Sequence, residues 1–65
     1  MVLSERERLL LQLVAEGIRN KEIAGRMQVT VKSIETYRFR LMKKLGCASA
    51  AELVRYAIRA GIVKD

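Results

Sequence analysis

The stretch that decides the fold is VKSIETYRFRLMKKL, Val31 to Leu45, which holds five cations (Lys32, Arg38, Arg40, Lys43 and Lys44) against one carboxylate, Glu35. At about 100° per residue, Val31, Ile34, Leu41 and Leu45 fall in one stripe about 80° wide, with Tyr37 and Met42 on its borders. That pattern is an amphipathic helix with one buried face. Lys32, Thr36, Phe39, Arg40 and Lys43 project from the opposite side, flanked by Ser33, Glu35 and Lys44. A charge run is commonly only a solvated face. A solvated face has little use for an exposed Phe, however, and this mixture suits a polyanion that also offers an apolar feature.

The rest of the chain is helix punctuation without strand patterning. Ser4-Glu5-Arg6-Glu7 has the spacing of a capping box, in which the Ser hydroxyl and the Glu carboxylate satisfy each other's backbone N–H groups. A helix is expected from there, with Leu9, Leu10, Leu13 and Val14 inward and Gly17 supplying the left-handed residue that ends it. Asn20 is the expected N-cap of a short helix over Lys21 to Met27, with Ile23, Ala24 and Met27 inward. Gln28-Val29-Thr30 then makes a tight connection, Thr30 caps the long helix and Gly46 stops it. Ser49-Ala50-Ala51-Glu52 reads as a second capping box, opening a helix to about Ala60 that Gly61 ends. The expectation is one all-α domain over residues 1–65, a four-helix, bundle-like arrangement with no proline, internal repeat or linker.

Charge is concentrated in the middle of the chain. The net charge is +6 with an isoelectric point near 10.1. Residues 17–45, with eight cations and two carboxylates, account for +6, against −1 for residues 1–16 and +1 for residues 46–65. Such focusing favours a nucleic acid or an anionic surface as partner. A 65-residue chain buries only about 60% of its unfolded surface, so an enclosed substrate cavity is not expected. There is no His, and the seven carboxylates show no paired arrangement, so neither an enzyme nor a metal site is expected. The single Cys47 has no partner for an internal disulfide and reads as a small buried thiol near a loop. No apolar run approaches a membrane span and no signal peptide is evident, which reads as a cytoplasmic chain without cofactors or membrane attachment.

A short helix, a turn of about three residues and a longer basic helix form the helix-turn-helix pattern, whose second helix enters the major groove. The residues Leu3-Ser4-Glu5-Arg6-Glu7, Asn20-Lys21-Glu22-Ile23-Ala24, Thr30-Val31-Lys32-Ser33-Ile34-Glu35 and Lys44-Leu45-Gly46, followed by SAAELVRYAIRAGIV, resemble the LuxR/FixJ-type (GerE-like) helix-turn-helix domain. The resemblance spans essentially the whole chain. It implies a bacterial transcription regulator that binds double-stranded DNA as a dimer, with RNA polymerase as a further partner, often joined to a phosphorylatable receiver or a ligand-sensing domain. Met1-Val2 directly before the opening motif suggests a stand-alone regulator or an excised C-terminal effector domain. The second is favoured, because Ala-Glu-Leu-Val-Arg-Tyr-Ala-Ile-Arg is similar to response-regulator members. Tyr37 stands where many members have His, and Phe39 where many have a small or polar residue, so no operator sequence carries over.

Roles follow residue by residue. Asn20 and Lys21 stand at a helix N-terminus that attracts a phosphate, with a simple cap as the alternative. Thr30, Lys32 and Ser33 suit backbone phosphates. Glu35, Thr36, Phe39 and Arg40 are the candidate base contacts: Glu accepts from a cytosine amino group, Thr and Phe pack on a thymine methyl, and Arg takes a guanine bidentately, with a Glu35–Lys32 pair or a core role for Phe39 as the alternatives. Lys43 and Lys44 suit phosphate or the helix dipole. Arg38 falls within the inward stripe and needs a partner, for which Glu7 or Glu5 is the candidate, with snorkelling toward solvent as the alternative. In the last helix Leu53, Ala57 and Ala60 can close the core, whereas Ala51, Val54, Ile58 and Ile62, with Arg55 at the edge, form a second apolar face suited to an isologous dimer contact. A basic protein-interaction or anionic-surface module and a sigma-factor-like promoter reader remain as alternatives.

Overall fold

The computed structural model describes residues 2–64. Its elements are α1 (Glu5–Ala15), α2 (Asn20–Met27), α3 (Val31–Leu45) and α4 (Ala50–Arg59), joined by connections of four, three and four residues, and no strand occurs among the described residues. α1 packs along α4 and also meets α2 and α3, while α2 packs against α3. An all-α, four-helix domain containing a helix-turn-helix is therefore the fold.

Local sequence explains where each helix begins. The Ser4 hydroxyl accepts from Glu7 N–H and the Glu7 carboxylate accepts from Ser4 N–H, completing the box at α1. Thr30 Oγ1 accepts from Ser33 N–H at 3.0 Å, and Ser49 Oγ accepts from Glu52 N–H at 3.3 Å. The second box is only half formed, because the Glu52 carboxylate accepts from Ala48 N–H, one residue before the cap. At α2 the expectation fails by one position. Arg19 is the extended N-cap residue and makes no side-chain cap bond, and Asn20 is already helical. The Asn20 side chain is occupied elsewhere, as described below.

All four helices end in the same device, in which the residue after the left-handed position bonds back across the last turn. Ile18 N–H reaches Leu13 O at 3.0 Å, Val29 N–H Ala24 O at 3.0 Å, Cys47 N–H Met42 O at 2.9 Å and Ile62 N–H Ala57 O at 2.9 Å. Gly17, Gly46 and Gly61 supply the positive φ in three cases. In the helix-turn-helix corner itself the left-handed residue is Gln28, at φ 60° and ψ 44°. A side chain there costs roughly 1–2 kcal/mol relative to the right-handed region.

The core is formed by Leu10, Leu11, Leu13 and Val14 of α1, Ile23 and Ala24 of α2, Ile34 and Leu41 of α3, and Leu53 and Ala57 of α4, with no buried polar group among the described residues. Five positions depart from the sequence expectation. Leu9 is exposed and Leu11 is completely buried, because α1 is touched by three helices and needs a wider apolar arc than one stripe. Val31, at the first helical position of α3, overhangs the core and is exposed. Ala60 is the exposed C-cap residue and does not close the core. Ile62 lies past the end of α4 and folds back onto the core.

Candidate nucleic-acid interface

The placement of α3 is set by Ile34 and Leu41, both essentially inaccessible to solvent, with Leu45, Met42 and Tyr37 packed half-buried around them. The opposite face is thereby turned outward. Of the candidate base contacts, Glu35, Thr36, Phe39 and Arg40 are all exposed. Phe39 is 62% exposed, the most accessible large apolar side chain in any of the helices. Its ring is not isolated, since Lys43 Nζ lies 5.2 Å from the ring centroid, within the range of a cation–π contact. An apolar ring with a cation beside it thus stands on a face that is otherwise polar.

The candidate phosphate contacts divide into two groups. Lys21, Lys32, Lys43 and Thr30 are exposed, whereas Asn20, Ser33 and Lys44 are half-buried. Thr30 Oγ1 donates to Ser33 Oγ at 2.9 Å, so these two hydroxyls are bonded to each other at the start of α3. Lys44 donates to the Glu7 carboxylate at 2.8 Å, tying the end of α3 to the start of α1. This ion pair, with the Ser4 backbone N–H as second cause, holds the Glu7 carboxyl below its ordinary value.

The partner anticipated for Arg38 is corrected by the structure. Arg38 Nη1 donates to Asn20 Oδ1 at 2.7 Å, and neither Glu5 nor Glu7 is its acceptor. Arg38 and Lys44 are six residues apart, so they project about 120° from each other around α3. Lys44 therefore faces α1 while Arg38 faces the start of α2. The amide is neutral, so the bond fixes α2 against α3 without forming an ion pair, and Arg38 is a positioning residue within the helix-turn-helix. Asn20 exchanges its expected capping role for this one.

On α4, Val54 and Ile58 are half-buried but do not pack against the core, and Ala51 and Arg55 are exposed. Ile62 is not on this face, for the reason given above. The structure thus leaves a short apolar strip of Val54 and Ile58 on α4, bordered by Arg55.

One juxtaposition has no local signal in the sequence. Arg6 of α1 lies over the Tyr37 ring of α3, 5.6 Å from its centroid, beside Arg40. Residues 31 positions apart meet only because α1 and α3 pack together.

The family model described as bacterial regulatory proteins, luxR family, matches residues 1–57. The chain belongs to this family. It is 47% identical over 60 residues to a response regulatory protein of Escherichia coli K12, YgeK, covering 92% of this chain and 41% of that one. It is likewise 47% identical over 58 residues to the oxygen regulatory protein NreC of Staphylococcus aureus JH9, covering 89% of this chain and 27% of the relative. The chain thus spans less than half the length of these curated relatives. No solved structure matches it. DNA binding in transcription regulation is the function of this family of domains. No helix among the described residues is long and apolar enough to cross a membrane.

Proposed function

We propose that this domain reads double-stranded DNA sequence-specifically, with α3 in the major groove, and that two copies pair through α4 on the operator. The observation that carries this reading is the outward face of α3, where Lys32, Glu35, Thr36, Phe39, Arg40 and Lys43 are all exposed on a helix anchored by Ile34 and Leu41. A helix about 10–12 Å across fits a groove about 12 Å wide. Glu35, Thr36, Phe39 and Arg40 then meet base edges. Lys21, Thr30, Lys32, Ser33 and Lys43 meet phosphates, and Asn20 and Lys44 serve mainly to hold helices together. The strip of Val54 and Ile58, with Ala51 and Arg55, forms the pairing contact. Half-sites one helical turn apart require each copy to reach about 17 Å from its recognition helix to the dyad. Cα extents of 28 × 22 × 20 Å are sufficient for that reach. On this reading a receiver domain joined to the chain, and contact with RNA polymerase, complete the scheme, as the resemblance to response regulators implies.

The test begins with selection of duplexes from a randomised library by the purified chain. Lys32→Ala is expected to weaken all sequences alike and to reduce the salt slope by about one. Glu35→Ala, Thr36→Ala and Arg40→Ala are expected to relax preference at particular base pairs by about 1–3 kcal/mol each. Val54→Asp and Ile58→Asp should retain helical circular dichroism but lose cooperative filling of a second half-site. Recovery of no preferred sequence would contradict the groove reading, and unchanged cooperativity in both Asp variants would remove the α4 interface.

A further inference from the structure

We propose that the groove between the start of α1 and the flank of α3 seats a phosphodiester of the bound DNA, with Arg6 as its principal contact. The groove encloses about 300 Å³ and is lined by Ser4, Arg6, Glu7, Leu10, Tyr37 and Arg40. Its character depends on which of its three charges is already matched. Glu7 is matched, since its carboxylate accepts from Lys44 Nζ at 2.8 Å and from Ser4 N–H at 2.9 Å. Arg6 and Arg40 have no ion pair and no side-chain hydrogen bond within the described residues. Arg6 rests over the Tyr37 ring, which restrains the guanidinium without using any of its five N–H donors. The unmatched guanidinium of Arg6 above a floor of Leu10 and Tyr37, with the positive charge of Arg40 alongside, makes a site for an oxyanion. Guanidinium geometry suits the paired oxygens of a phosphate.

The source of that anion follows from where the groove lies, and this step rests on the reading of α3 as the groove-entering helix. Around α3, Arg40 projects about 40–60° from Thr36 and Lys43, and Tyr37 a further 60° toward α1. A helix that fills the major groove has a sugar–phosphate strand along each flank. The flank on the α1 side is the one that carries Arg6. The N-terminal turn of α1 therefore supplies a backbone contact from outside the helix-turn-helix.

The experiment uses the best duplex recovered by the chain, with binding followed by fluorescence anisotropy. One phosphate contact contributes about 0.9 to the salt slope, so the affinity penalty of Arg6→Ala should shrink about 3.5-fold between roughly 50 and 200 mM salt. Arg6→Lys should keep the wild-type slope, and Arg59→Ala, on α4, should leave both slope and affinity unchanged. A scan of single methylphosphonate linkages should find one position that weakens the wild-type chain and leaves Arg6→Ala unaffected. Intact DNA binding with an unchanged slope in Arg6→Ala overturns the inference while sparing the groove reading. Failure to recover any preferred duplex removes both. A shift of the Tyr37 ring resonances on adding inorganic phosphate, with no duplex linkage sensitive to Arg6, assigns the groove to a free anion and overturns the inference as well.

Discussion

The most discriminating perturbation of this surface is the removal of one methyl group from the DNA. The C5-methyl of thymine is the apolar feature of the major-groove edge, and Phe39 is the large apolar side chain that the outward face of α3 offers it. Burying one methyl or methylene is worth about 0.8 kcal/mol, which is about fourfold in Kd. If α3 enters the groove as proposed, replacing the thymine that Phe39 meets by deoxyuridine should therefore weaken binding about fourfold per half-site, or about fifteenfold when both half-sites of a palindrome are changed. In Phe39→Ala the same replacement should have no effect. The fold provides the control, since Phe39 is 62% exposed and supports none of the core. Surface substitutions of this kind usually change stability by less than about 0.5 kcal/mol, so the thermal midpoint should be nearly unmoved. The assay is a deoxyuridine scan of the selected duplex with wild-type and Phe39→Ala chains. Equal sensitivity in the two proteins at every thymine would refute the reasoning.

Two further outcomes concern stability. Gln28→Gly relieves a left-handed backbone penalty of about 1 kcal/mol and gives back about half of it through the freer unfolded chain, so the melting temperature should rise by about 2–4 °C. Gln28→Val, measured by the same thermal scan, should lower it. Glu7 has a depressed pKa in the fold, so its contribution is present above the ordinary value of 4.5 and is lost as pH falls through the depressed one. Denaturant midpoints of the native chain should accordingly fall in acid more steeply than those of Glu7→Gln.

The features legible in the sequence are those written within four residues of one another. Ser4, Thr30 and Ser49 cap their helices, and Gly17, Gly46 and Gly61 end theirs, because those bonds are local. The outward face of α3 is legible for the same reason, as periodicity alone separates Ile34 and Leu41 from Phe39 and Lys43. The illegible features all depend on which helix lies alongside. Arg38 had two carboxylates as candidates in α1, and only the packing of α2 against α3 makes Asn20 its acceptor. Leu11 rather than Leu9 is buried because α1 has three neighbours. Ile62 sits at a helical spacing from Ile58, but the chain reverses at Gly61 before reaching it. Arg6 and Tyr37 carry no mark of their meeting.

The short connections described above also set an order of assembly. α2 and α3 are joined by three residues and pack against each other, so their interface closes a small loop, whereas α4 must find α1 across the intervening chain. Loop closure becomes more costly with length, and chains dominated by near-neighbour contacts fold in microseconds to milliseconds. The helix-turn-helix pair is thus the part expected to form with least search, with docking of α4 on α1 as the expected late event. Substitutions at Leu53 or Ala57 should then mainly accelerate unfolding, while changes at Ile23 or Ile34 should slow folding.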